Sequence, residues 1–115
     1  MSGLARIEAD DRDGAHHVRV RGEVDLSNAS EVMDAIFASM PTDASRVVVD
    51  LSETVYFDSA GIAMLFELAA RLRYRRRELR LVVPADAHIR AVVELTNMHR
   101  VIPIDDALID PPDPD

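Results

Sequence analysis

The chain has 115 residues, a net charge of −8, no cysteine and few aromatic residues. That length suits one domain that buries a core without staples, and the missing cysteines exclude disulfides and thiolate metal sites. The acidity argues against general binding to a phosphate backbone, and the few aromatics argue against base-stacking platforms, so nucleic acid is not an expected partner. No apolar run reaches the roughly 18 residues of a membrane span, and the N-terminus lacks a basic-then-apolar leader pattern. A cytoplasmic protein without direct membrane insertion is expected.

In chain order, "GLARIEAD" and "AHHVRVRGEV" are short, partly alternating segments joined by the polar "DDRDGA", a hairpin signal. "NASEVMDAIFASM" repeats apolar residues at helical spacing, with Asn28 and Glu31 placed as a capping box and Pro41 just past the end. "RVVVDL" is a continuous apolar run that suits a strand covered on both faces. A second helix starts near Ser59, with Ile62, Leu65, Phe66, Ala69 and Leu72 as its buried stripe. The arginines of "RLRYRRR" complement the dipole in its last turn. "LRLVV" is a further strand. Asp86 then reads as the cap of a third helix carrying Ile89, Val92, Val93 and Met98, and Asn97 is placed to end it in a left-handed conformation. "RVIPI" supplies a last strand. The domain runs over 1–110, and the acidic, proline-rich residues 111–115 have no means of packing.

Strands alternating with helices imply an α/β fold with right-handed crossovers. The expected sheet is mixed but mostly parallel, of about five strands, packed with three to four helices. Functional loops in such sheets gather beyond the carboxyl ends of the strands. Two loops stand out there, "GEVDLSN" and "SETVYFDSAG".

These segments resemble a STAS domain, and more closely a bacterial anti-sigma factor antagonist, over roughly Leu4 to Ile104. "VVVDLSETVYFDSAG" is similar to the family's strand followed by Asp-Leu-Ser, an aromatic residue and Asp-Ser-x-Gly. "GEVDLSNA" resembles its Gly-Glu-hydrophobic-Asp segment, and "LRLVVPADAHIRAVVELTNMHRVIPI" its third-helix region. Three pieces in the right order and spacing make a specific match. The resemblance implies that Ser59 is the phosphorylation acceptor. It also implies that the unphosphorylated form binds an anti-sigma factor with serine kinase activity and so frees a sigma factor. A PP2C-like serine phosphatase restores the hydroxyl. The implied role is that of a binding partner, not an enzyme, with no cofactor. The alternative within the same family is an interaction subunit without a phosphorylation cycle, in a lipid transporter or a stress complex. Glu53 and Asn97 stand where the family often has glycine. "RYRRRELR" also lacks the glycine often found ahead of the next strand, so that helix runs longer or ends without a tight cap.

The residues assigned to partner binding are Asp25, Asp58, Ser59, Ala60, Gly61, Ala63 and Met64. Each has a structural reading beside the functional one. Ser59 is placed either to cap its helix or to accept phosphate, whose two negative charges a helix start tolerates. Asp58 orients the hydroxyl or meets the kinase's catalytic machinery, or is a second cap or a solvated loop acid. Gly61 admits a partner's backbone, or relieves crowding within the chain. Asp25 faces Ser59, or caps the following helix. Met64, with Ala63, forms an adaptable apolar contact patch, or is an exposed methionine without a role. The run from Arg71 to Arg80 meets an acidic partner, or is a solvated face. His16 and His17, adjacent in a strand, face opposite sides and do not chelate one metal together. No Gly-x-Ser-x-Gly elbow and no Walker-type loop is present, which speaks against serine hydrolase or nucleotide chemistry.

Overall fold

A computed structural model describes residues 4–107. The elements in chain order are β1 (Ala5–Arg12), β2 (Ala15–Val24), α1 (Ala29–Ser39), β3 (Arg46–Asp50) and β4 (Thr54–Phe57). They continue with α2 (Ser59–Tyr74), β5 (Glu78–Val82), α3 (Arg90–Leu95), a 3₁₀ turn (Met98–Arg100) and β6 (Ile104–Asp105). The tail expected at 111–115 lies outside the described residues. No helix among the described residues is long and apolar enough to cross a membrane.

The main path of the sheet is β1-β2-β3-β5-β6, with β4 pairing the end of β2. β1 and β2 form the antiparallel hairpin, turning at Asp13 and Gly14, both with positive φ, and every other pairing is parallel. Each parallel crossover adds its strand on the same side of the one before. Right-handed connections therefore place all three helices on one face of the sheet. The core confirms it. Val18, Val20, Val47, Val49, Leu79 and Leu81 alternate inward from the strands and cluster with residues from all three helices. The residues between them form the opposite face, where Ala15, Val48 and Val82 make a small buried cluster, Arg19 pairs with Asp50 at 3.2 Å and Arg21 with Glu53 at 2.8 Å.

Several local expectations are corrected. The sheet has six strands because "TVYF" pairs with β2 as β4, across a register shift between Gly22 and Glu23. Asn28 precedes α1 but makes no side-chain cap bond. Its amide group instead accepts from the Asp25 N–H at 2.8 Å and donates to the Glu23 carbonyl at 2.9 Å, closing the β2–α1 loop on itself. Asp86 caps nothing. The chain turns through Ala87 and Arg90, α3 begins only at Arg90, and Ile89 stands at its N-cap. Asn97 does adopt the left-handed conformation, with φ of 56°. The final strand holds two residues rather than five, fastened by Arg80, whose Nε and NH2 donate to the two Asp105 carboxylate oxygens at 2.9 and 2.8 Å.

The end of α2 is also tighter than its lack of glycine suggests. Arg76 takes φ of 58°. The Arg76 N–H donates to Arg73 O at 2.9 Å and the Arg77 N–H to Leu72 O at 2.8 Å. That is the two-bond Schellman closure normally built on glycine. An L-residue there costs roughly 1–2 kcal/mol.

Candidate partner-binding site

The carboxyl ends of β2 and β4 lie side by side, with Val24 opposite Phe57. The loops that leave them are stitched by one side chain. Asp58 is the N-cap of α2, and its Oδ1 accepts from the Ala60 and Gly61 amides at 2.8 and 3.1 Å. Its Oδ2 accepts from the Leu26 N–H, in the other loop, at 3.0 Å. Partial burial works against ionisation of Asp58, but the amides of Gly61, Leu26 and Ala60 outweigh it and hold the carboxyl below its ordinary value.

Ser59 is therefore not the cap. It is the first residue of α2, is exposed, and its hydroxyl bonds to no described residue. Asp58 and Ala60 are half-buried beside it and Ala63 is exposed one turn on. Gly61 is buried and belongs to the chain's own packing. A Cβ there would lie 2.9 Å from Val24 O and 3.1 Å from the Phe57 ring, so the crowding it relieves is internal. Met64 is corrected most plainly. At 4% exposure it is part of the core and forms no surface patch. Asp25 lies in the adjacent loop, but its carboxylate accepts from the Ser27 amide and hydroxyl. Its carbonyl, not its side chain, receives the Asn28 and Ala29 amides that start α1.

Leu26 is the surface residue absent from the expected set. It is 83% exposed, one peptide from Asp25, and tethered through its amide to Asp58. Val55 and Tyr56 of β4 are exposed close by in the chain. The available signal was an apolar residue inside the polar turn "VDLSN"; such a residue in a turn is not there to fill a core.

A second grouping has the order of a hydrolytic triad. His16, buried, places Nδ1 2.7 Å from Asp11 Oδ1 and Nε2 2.9 Å from Ser39 Oγ. Ser39, however, ends α1, and its hydroxyl donates to Ile36 O at 2.7 Å. The carbonyl end of a helix repels the oxyanion that a serine nucleophile must stabilise. The grouping ties the β1–β2 hairpin to α1.

A family model described as "Mlab, STAS domain" matches residues 7–106, and the chain belongs to the STAS domain family. Within it, an anti-sigma-B factor antagonist of Listeria monocytogenes is 31% identical over 99 residues, covering 85% of this chain and 86% of that protein. The crystal structure of an anti-sigma factor antagonist from Mycobacterium paratuberculosis superposes with a TM-score of 0.79 at 26% identity, over 90% of this chain and 87% of that one. The Bacillus cell fate determinant SpoIIAA in its phosphorylated form shares the fold, with a TM-score of 0.62 and 14% identity over 86% and 90% of the two chains.

Proposed function

We propose that the protein is an anti-sigma factor antagonist that works by binding and is switched by phosphorylation of Ser59. The observation that carries this reading is the exposed Ser59 hydroxyl, which forms no bond among the described residues while Asp58 supplies the helix cap. The names of the Listeria and Mycobacterium relatives, and the existence of a phosphorylated form of a protein with this fold, support it. The unphosphorylated chain docks its Ser59 end, with Leu26, Asp58, Ala60 and Ala63 around it, onto an anti-sigma factor with serine kinase activity, and so frees a sigma factor. A PP2C-like phosphatase reverses the modification. The chain itself is substrate and partner rather than catalyst.

Phosphate adds about −1.5 to −2 charges and three acceptor oxygens. The amino end of α2 tolerates that anion, so the fold survives. A partner seated over Ser59 has to bury it beside the Asp58 carboxylate. An unmatched buried charge at an interface costs about 2–5 kcal/mol, or roughly 30- to several-thousand-fold in affinity.

The test is incubation with the candidate kinase and ATP, followed by mass mapping. Phosphate should appear on Ser59 and be absent from Ser59→Ala, which still binds. Ser59→Asp should bind the kinase at least tenfold more weakly with an unchanged melting temperature. Phosphate incorporation into Ser59→Ala at the wild-type level removes Ser59 as acceptor. Membership of the STAS domain family also admits a second reading, an interaction subunit of a lipid transporter or stress complex without a phosphorylation cycle. That subunit would remain unmodified in the same assay.

A further inference from the structure

Five of the seven residues from Arg71 to Arg77 are arginine, in a chain of net charge −8. Among the described residues, Arg71 alone of these five has a carboxylate partner, Glu67 at 2.7 Å. Arg73 and Arg77 donate to the neutral carbonyls of Val101 and Thr42, at 3.2 and 2.6 Å. Arg75 lies over the Phe37 ring, 5.6 Å from its centroid. These contacts hold the guanidinium groups in place without cancelling their charge. The carbonyl end of α2 offsets only about half a unit of it.

Arg76 carries the argument further. Its side chain has no partner among the described residues, and its backbone occupies the left-handed position that a helix end ordinarily gives to glycine. Strain kept at an exposed position where the side chain does nothing for the fold points to a use outside the fold. Tyr74, 91% exposed, stands between the arginines.

We propose that the Arg73–Arg77 end of α2 is a docking site for an acidic polypeptide segment of a partner protein, separate from the Ser59 end. Charge on the rest of the same end decides the class of partner. Asp43 follows Thr42, and Asp13 lies on the β1–β2 turn that reaches the amino ends of the strands, with Asp11 near the end of β1 beside it. A membrane surface or a long nucleic acid would press against these acids together with the arginines. A short acidic segment lying on the last turn of α2 meets Arg73, Arg75 and Arg76, while the neighbouring Glu78 is already paired with Arg46 and Arg80, and guanidinium forks match its carboxylates two oxygens at a time.

The experiment is an anisotropy titration of fluorescein-labelled oligoglutamate with the full chain at low salt. Wild type should bind and lose affinity as salt is added. Arg75→Gln combined with Arg76→Gly should bind roughly fivefold more weakly or worse, and Arg76→Gly alone relieves backbone strain, so it remains folded. Ser59→Asp should titrate like wild type, which separates this site from the proposed phosphorylation switch. Equal affinity of wild type and the double variant overturns the proposal. So does tighter binding to phosphatidylglycerol vesicles or oligothymidylate than to the peptide. Concentration-dependent self-association that the variants abolish also overturns it, by making a second copy of the chain the occupant.

Discussion

Asp58 uses both carboxylate oxygens, one on α2 and one on the loop carrying Leu26. Asp58→Ala should lower the urea midpoint, since a helix cap is lost together with the Leu26 tether. The folded chain keeps this acid ionised to lower pH than the unfolded chain does. Its contribution is therefore complete above the ordinary carboxylate value and fades as pH falls through the lowered one. Asp58→Asn keeps a capping oxygen and should flatten that acid limb in unfolding curves measured against pH. Arg76→Gly should stabilise the chain by about 1 kcal/mol, because the left-handed position is then unstrained. The sequence placed the start of α2 correctly but left the cap open between two adjacent residues, Asp58 and Ser59, that both suit it. Only the backbone shows which oxygen reaches the second and third amides.

Among the elements, α2 shows best where spacing falls short. Apolar residues surround most of this helix, so spacing gave Ile62 and Phe66, which pack part-buried against the core, and left out Met64, which lies inside it. The buried line is Gly61, Met64, Leu65, Leu68, Ala69 and Leu72. Gly61 sets the phase, because only a residue without a Cβ lets the helix approach Val24 and Phe57 so closely. Gly61→Ala should cost about 1–3 kcal/mol, the usual penalty for overpacking, visible as a lower urea midpoint at constant slope. β4 was not legible as a strand because its burial runs in–out–out–in across a register shift rather than alternating. The two residues of β6 depend on the Arg80 fork, which also holds the Asp105 carboxyl below its ordinary value. Asp105→Ala should loosen that edge first, seen as faster exchange of the Leu81 and Val83 amides, which bond to Pro103 O and Asp105 O.

At the scale of the molecule, the parallel crossovers and their handedness were written in the alternation of the sequence, and with the sheet order that the structure adds they put every helix on one side of the sheet. The two ends of α2 were less evenly legible. The Asp-Ser-x-Gly motif marked one, whereas the arginine run at the other reads the same in sequence whether or not its charges are cancelled. Only the partners of each guanidinium decide that. The sixteen residues of α2 make a rod of about 24 Å, roughly three screening lengths in physiological salt. Charge placed at Ser59 therefore fades in the intervening electrolyte before it reaches Arg76, so a phosphate at one tip of this rod and an acidic visitor at the other, both as proposed above, would not feel each other.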